Sequence, residues 1–551
     1  MMINVLEYLE QTLKRMPDTG KVAFTGVISG QGEQSMRGVG AANMSVPSAL
    51  SFQQLSDQSR ACGSYLVSQN IRKQPVAVFM QKSPAMIAAF LGVVYGGNYY
   101  IPLDSEMPAF RIRLILDVVK PPVIICDSVT AALIKEWDLC GANEPSPCPK
   151  PSPCPVIVDF NDISNRHIDE TDECKLSVIR NNAIDTDPVY VVFTSGSTGV
   201  PKGVVATHRS VIDYIENLSI VLGVTEDTVF GNQSPLYLDA CLKEVYTTLK
   251  FGSSAFLIPQ SLFMFPVKLI EYLNDNGINT ICWVASALSL VAGLGALKAA
   301  IPKTLHTIAF GSEVFPIKHY NQWRELLPDA KFIHLYGPTE ATGMSCFYES
   351  KRTYEADESI PIGRPFPNTE IILLDDDGKI PPHGEPGEIC IRGTCLSPGY
   401  FADADKTAAA FVQNPLSAFP DLIYRTGDLG RYGKEFDLYY ISRRDHQIKH
   451  MGHRIELAEI EIVANGCDDV GLACAVFDND ESKIVLYYVA SVKQKTCPPA
   501  SSVRSYLKTN LPRYMLPHSI IQLDELPRTP GGKLDRVGLL ERYKQEKKKG
   551  K

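Results

Sequence analysis

Long apolar runs are missing from this sequence of 551 residues. The longest, Met86 to Tyr95, is about half of the roughly 20 residues that a membrane-spanning helix needs, and it stops at Gly96-Gly97. No secretory leader is expected either, because Glu7 and Glu10 interrupt the N-terminal segment. Its Leu6, Leu9, Leu13 and Met16 recur at helical spacing and predict an amphipathic surface helix. Neither sign of charge dominates: 54 Lys and Arg stand against 62 Asp and Glu, a net charge of −8. No basic field is present to hold nucleic acid or anionic lipid, and the short run Lys547 to Lys551 reads as a solvated terminus. A cytoplasmic protein with no nucleic-acid and no membrane partner is expected. The 14 cysteines form no compact framework, and the spacing of Cys140, Cys148 and Cys154 is unlike the paired cysteines of zinc sites. No internal repeat is visible.

What is present is the balance of an ordinary globular protein, 45% apolar and 21% charged. The length exceeds what one core closes around, so at least two domains are expected. From about residue 48 to 128, helical stretches such as FQQLSDQSRACGSYLVSQN alternate with the β-rich PVAVFM and PPVIIC, which implies a parallel sheet covered by helices. Residues 141–186, rich in proline, acids and asparagine, read as a surface insertion or loop. The strand Val189 to Phe193 restarts the alternation, which runs to about residue 345. A β region punctuated by glycine and proline follows to about 441, and after Arg443-Arg444-Asp445 a smaller α/β segment runs on. Domains 1–445 and 446–551 are expected.

Directly after that strand comes TSGSTGVPKG, residues 194–203. Gly196 and Gly199 let backbone amides approach phosphate oxygens, the hydroxyls donate further hydrogen bonds, and Lys202 adds a mobile charge. The loop suits polyphosphate. It is not a Walker loop, because Lys202 follows Pro201 and precedes Gly203.

The string resembles the signature of the adenylate-forming superfamily of acyl-CoA synthetases, luciferases and nonribosomal-peptide-synthetase adenylation domains. NYYIPLD (98–104), LYGPTEAT (335–342), GEICIRG (387–393), YRTGD (424–428), SRRDHQIKHMGHRIELAEIE (442–461), LPRYMLP (511–517) and TPGGKLDR (529–536) resemble the last group in order and spacing. The resemblance implies an α/β fold: a large N-terminal domain of two α/β subdomains plus a β-barrel-like subdomain, and a small mobile α+β C-terminal domain. It also implies ATP and Mg2+ as cofactors and a ligase that activates a carboxylic acid. Thr194, Ser195, Ser197, Thr198 and Lys202 then hold the β- and γ-phosphates, and Glu340 holds magnesium. Tyr336 stacks on adenine opposite the turn Gly311-Ser312-Glu313, with Gly337 and Thr339 in the same nucleotide-binding string. Asp428 accepts from the ribose hydroxyls and Arg443 reaches the same region, while Tyr440 either lines the nucleotide or is a core tyrosine. Lys533 bridges the substrate carboxylate and the α-phosphate.

Asp239 stands where relatives pair an aspartate with the substrate α-ammonium, which argues for an amino acid over a fatty or aryl acid. By alignment the side-chain walls are Ala240, Lys243, Cys282, Ile308, Phe310, Leu335, Gly343 and Met344. Phe310 shortens the cavity and favours a small neutral amino acid, and is similar to a phenylalanine of D-alanine:carrier-protein ligases. If Lys243 points inward, aspartate or glutamate becomes the better substrate. The resemblance makes Lys449 the lysine of a second half-reaction, reached by rotation about Asp445, although Ser442 and Met451 replace the usual glycine and arginine. His450 and His453 read as surface or interdomain residues. No carrier motif follows residue 536 and no condensation domain precedes residue 1, so a stand-alone enzyme serving a separate carrier protein with a phosphopantetheine arm is expected; an acyl-CoA synthetase is the alternative.

Overall fold

The computed structural model describes residues 2–17, 20–28, 46–139, 154–166, 171–196, 199–444, 447–491, 500–528 and 534–549. Ser197, Thr198, Asp445 and Lys533 lie outside the described residues, as do Cys140 and Cys148. By its internal contacts the chain divides into two units. One comprises Met1–Ser105, Val119–Val192 and Gly203–Arg444; the other comprises Glu106–Val118, Phe193–Lys202 and Asp445–Lys551. Nothing in the sequence announced that 106–118 and 193–202 would group with the C-terminal segment.

The larger unit is built on two helix-covered sheets and one antiparallel sheet. The first sheet runs in the order Val156–Asp159, Val123–Cys126, Pro75–Phe79, Tyr99–Leu103, Pro188–Thr194 and Lys202–Thr207. Pro75–Phe79 and Val123–Cys126 are buried at every position, as parallel strands covered on both faces must be. The apolar run too short for a membrane becomes the core helix Pro84–Tyr95, with Ser83 capping its start. No helix among the described residues is long and apolar enough to cross a membrane.

Among the described residues the second sheet has nine strands. Its parallel centre holds Lys331–Tyr336, Thr307–Gly311, Thr280–Val284 and Val229–Asn232 side by side, and it ends in antiparallel edges. Thr369–Leu374, Gly387–Gly393, Leu422–Tyr432, Phe411–Gln413 and Leu438–Arg443 form the antiparallel sheet where a barrel-like subdomain was expected. The N-terminal helix Leu6–Arg15 is present but packed more deeply than a surface helix: Leu6, Tyr8, Leu9 and Thr12 are all buried.

The expected loop over 141–186 is corrected for its described part. Val156–Asp159 joins the sheet edge beside Val123–Cys126, and the helices Phe160–Arg166 and Glu173–Asn181 follow. Asp172 caps the second helix through the Lys175 amide, and Leu176 anchors it in the core. Proline bias ends at Pro155, and the residues beyond it have caps and apolar anchors of their own.

The smaller unit holds the hairpin Gln447–His450 and His453–Glu456, the helix Leu457–Asn465, and a sheet of Val470–Asp478, Lys483–Ala490 and Ser519–Gln522. Ile455, Ile460, Leu486, Tyr488, Leu507 and Met515 form its core, all fully buried. The helix Ala109–Val119 falls largely in this unit.

Candidate functional site

In the larger unit, the strand Lys331–Tyr336 runs into a backbone doubled tightly on itself. A Cβ on Gly337 would stand 2.4 Å from the Gly343 carbonyl oxygen, and Thr342 and Gly343 take φ of +50° and +89°. This turn sets Glu340 in a fully buried position, where the Tyr400 hydroxyl donates to its carboxylate at 2.8 Å. The Tyr336 hydroxyl donates to Asp428 at 2.6 Å, and Arg443 Nη1 donates to the other Asp428 oxygen at 2.5 Å. Burial first, and then the Asp428 charge, push the Tyr336 hydroxyl far above its ordinary pKa, so it stays a donor. Tyr440 is partly buried against the cluster that contains Tyr336. Gly311 is a close-approach position, since a Cβ there would meet the Leu335 carbonyl oxygen at 2.3 Å, and Ser312 follows with φ +67°. The Glu313 carboxylate accepts from the Ser286 amide at 2.9 Å, in the first turn of the helix Ala285–Gly293.

Asp239 opens a short helical turn that leads into the helix Leu242–Phe251. Its carboxyl is raised above the usual range by burial, against the pull of a Thr339 hydrogen bond and the Lys243 charge, and the Glu340 charge raises it further. Asp239, Thr339 and Glu340 are therefore neighbours. Lys243 is 4% exposed, with its charge acting on Asp239, Glu244 and Cys282. Ala240 is half-buried beside them. Glu244 accepts from Asn232 at 3.2 Å, and burial lifts its carboxyl to about 7. Gly343 faces Tyr214, whose ring would stand 2.7 Å from a Cβ there. Among the described residues the buried hydroxyls of Tyr214 and Tyr190 have no hydrogen-bond partner.

The eight expected walls do not share one lining. Cys282, Leu335 and Met344 pack in one core cluster, whereas Ile308 and Phe310 pack in another, with Trp283, Phe315 and Tyr320. Strand alternation is the reason: Cys282 stands opposite Ala309, and Trp283 stands opposite Phe310, so neighbouring positions face opposite sides of the sheet. Phe310 stacks on His334 at 4.9 Å and meets Phe315 edge-on at 5.1 Å. Trp283, overlooked by the alignment, is the residue that keeps Phe310 company.

In the smaller unit, Thr194 is buried, and its hydroxyl has no hydrogen-bond partner among the described residues. Ser195 donates to the Arg454 carbonyl oxygen at 2.6 Å and accepts from the Glu456 amide at 3.2 Å. Gly196 admits no side chain, because a Cβ would stand 2.1 Å from the Val200 carbonyl oxygen, and Gly199 has φ +79°. Lys202 begins the strand Lys202–Thr207. Lys449 stands opposite Arg454 in the hairpin. Of the two readings of His453, surface or interdomain, an open surface position does not hold: its ring stacks on Tyr514 at 3.5 Å and 3°, and burial, then Arg111 and His450, depress its pKa to about 3.

Among the described residues no three His, Cys, Asp or Glu side chains form a metal cluster. Magnesium does not require one: it keeps waters and phosphate oxygens and takes one or two carboxylates, and a buried Glu340 oriented by Tyr400 fits that demand. No sequence signal marks Tyr400, which lies 60 residues from its partner.

The family model described as AMP-binding enzyme matches residues 35–401, and that of the AMP-binding enzyme C-terminal domain matches 459–533. Tyrocidine synthase 1 of Brevibacillus parabrevis is 29% identical over 496 residues, 89% of this chain and 42% of that protein. A dimodular nonribosomal peptide synthase of Bacillus subtilis (strain 168) is 31% identical over 502 residues, 89% of this chain and 20% of that protein. The chain thus spans less than half the length of either. Among solved structures, an NRPS protein containing adenylation and PCP domains, bound to a vinylsulfonamide inhibitor, superposes with a TM-score of 0.74 at 23% identity, covering 98% of this chain and 84% of that one. The amide bond synthetase of Marinactinospora thermotolerans gives 0.76 at 18% identity, covering 98% of this chain and 100% of that one.

Proposed function

The chain belongs to the AMP-binding, adenylate-forming enzymes, and on that premise we propose that it activates an amino acid with ATP and loads it onto a separate carrier protein. A substrate carboxylate oxygen attacks the α-phosphorus and pyrophosphate leaves; the phosphopantetheine sulfur then attacks the acyl carbon and AMP leaves. The observation that carries this reading is the grouping of Asp239 with Thr339 and Glu340. An aspartate raised by burial gains most from an incoming ammonium, and it stands beside residues of the nucleotide string.

In this reading Asp428, with Tyr336 and Arg443 on it, takes the ribose, and Gly311, Ser312 and Gly337 form the flat slot for adenine. Thr194, Ser195, Gly196, Ser197, Thr198, Gly199 and Lys202 serve the phosphates, Lys533 the reacting carboxylate, and Lys449 the thiol step after rotation at Asp445. Magnesium, held by Glu340, would offset charge on the phosphates. The domain boundary then falls at 445/446.

A small neutral amino acid is the favoured substrate, because the Tyr214 ring fills the space behind Gly343. An acidic amino acid is the second reading, favoured by the burial of Lys243 with its charge on Asp239 and Cys282. Amino-acid-dependent pyrophosphate exchange, run across the common amino acids in both chiralities and with free coenzyme A as a competing acceptor, tests the proposal. Exchange with none of them would remove it. Lys243→Ala separates the two substrates: a strongly raised KM for acidic amino acids alone supports the second reading, and an equal small effect on all supports the first.

A further inference from the structure

Two loops of the antiparallel sheet in the larger unit hold large apolar side chains in water. The first, residues 375–386, leaves the strand Thr369–Leu374 through a turn closed by Asp375, whose carboxylate accepts from the Asp377 and Lys379 amides at 2.9 and 2.8 Å. Ile380 follows, 65% exposed, and Pro381 and Pro382 after it fix the backbone. The second loop, residues 414–421, is closed by the Asn414 amide, which donates to the Asp421 carbonyl oxygen at 2.8 Å. Gln413 Nε2 donates to the Phe419 carbonyl oxygen at 2.8 Å, the Leu416 amide to Asn414 Oδ1 at 3.0 Å, and Asn414 Nδ2 to the Asp421 carboxylate at 2.9 Å. A loop pinned at so many points cannot fold its apolar side chains inward, and Leu416 and Phe419 stay 48% and 60% exposed. Between the two loops lies a hollow of about 540 Å³, lined also by Ile371, Leu373 and Arg392 of the sheet. Its size is that of ordinary binding pockets, roughly 300 to 1,000 Å³.

The charge of the lining is uneven. Arg392 donates to Asp421 and to Glu370, both at 2.7 Å, so its charge is already answered. Glu385 is a third carboxylate of the lining, and three carboxylates therefore stand against one guanidinium. His383, on the same lining, meets the exposed Phe436 ring at 4.8 Å, which extends the apolar surface past the hollow. We propose that this groove docks a segment of another protein that carries large apolar side chains flanked by lysine or arginine. A small ligand would fill the hollow and leave the Ile380 and Phe419 rims in water, whereas a peptide segment covers both; pre-set apolar anchors of this kind carry most of the energy of an interface. The acidic excess selects the charge of the partner, because surfaces of opposite potential pair. The same excess opposes an anionic membrane, and it opposes a second copy of this chain, whose net charge is −8. None of these residues belongs to the nucleotide, amino-acid or thiol steps, so the inference stands apart from the adenylation reading.

The probes are two fluorescein-labelled peptides of equal length, one alternating leucine with lysine and the other leucine with glutamate, titrated by anisotropy onto the full chain. The lysine peptide is expected to bind at least about 10-fold more tightly at low salt, and to weaken as salt is raised. Phe419→Ser, at a side chain that the fold leaves exposed, should weaken its binding by about 10-fold, and Glu385→Gln by about 3-fold. Amino-acid-dependent pyrophosphate exchange should be the same in both variants as in the wild type. Equal binding of the two peptides overturns the inference, and so does binding of the lysine peptide that Phe419→Ser leaves unchanged, since that is general attraction to an acidic protein. A wild-type dimer that Phe419→Ser splits in sedimentation would assign the groove to a second copy and overturn the proposed partner. Phosphatidylserine vesicles that bind more tightly than the lysine peptide would overturn it as well.

Discussion

Two aspartates of the larger unit are treated in opposite ways. Asp428 is 2% exposed and fully answered, with Tyr336 on one oxygen and Arg443 on the other. Asp239 is half-buried, has no cation within salt-bridge distance among the described residues, and has its carboxyl raised by burial, with Thr339 and the more distant Lys243 only partly offsetting it. A carboxylate that the protein answers itself serves as a fixed platform; one left short of positive charge is a place for a cation to arrive. Asp428 then positions the nucleotide, and Asp239 recruits the substrate ammonium.

The contrast can be broken most directly by removing each carboxylate. Asp239→Ala should depress amino-acid-dependent pyrophosphate exchange by about 100- to 5,000-fold, as loss of one side of a desolvated charge pair costs roughly 3 to 5 kcal/mol. Its affinity for ATP should change far less, by about 2- to 5-fold, because Asp239 couples to the nucleotide only through its neighbours Thr339 and Glu340. Asp428→Asn should show the reverse emphasis. It weakens the pairing of the buried Arg443, whose side chain is 9% exposed, so thermal stability should drop together with ATP affinity, by about 1 to 3 kcal/mol in unfolding free energy. Equal losses of ATP affinity in the two variants would erase the distinction between them.

A smaller effect sharpens the picture around Asp239. Glu244 has its carboxyl raised from 4.5 to about 7, first by burial, with Lys243, Asn232 and Lys82 pulling it back. The folded protein therefore keeps this proton over a range in which the unfolded chain has lost it. Stability is greatest below the unfolded value and declines as pH rises between about 4.5 and 7, by up to roughly 3 kcal/mol. Melting temperature against pH should show this slope in the wild type and lose it in Glu244→Gln. The smallest expected effect is that of Gly343→Ala, which strains a residue at φ +89° and presses on the Tyr214 ring. A loss of about 1 to 2 kcal/mol is expected from chemical denaturation, with Tyr214→Leu relieving the crowding component.

The parts legible in the sequence were those in which backbone and chemistry lie close along the chain. Glycines that admit no Cβ, such as Gly196 and Gly337, stand inside recognisable strings, and so do Glu340 and Asp428. Pairings across the chain were not legible: Tyr400 on Glu340 and Arg111 on Glu459, the latter 348 residues apart, leave no local pattern. Position-by-position alignment also hid the faces of the strands. It gathered Cys282 and Phe310 into one wall, although a two-residue period along adjacent parallel strands sends them to different cores. Composition misled at 154–186, where proline bias nearby masked one strand and two helices.

The central claim is that Asp239 waits for an α-ammonium, and the most direct measurement is pyrophosphate exchange driven by the best amino acid and by its analogue lacking only the α-amino group. Exchange with the amino acid is expected to run at least about 100-fold above that with the deamino acid, because the analogue leaves the half-buried carboxylate unanswered. Comparable exchange with both, unaltered in Asp239→Ala, would contradict it and make the chain an activator of plain carboxylic acids.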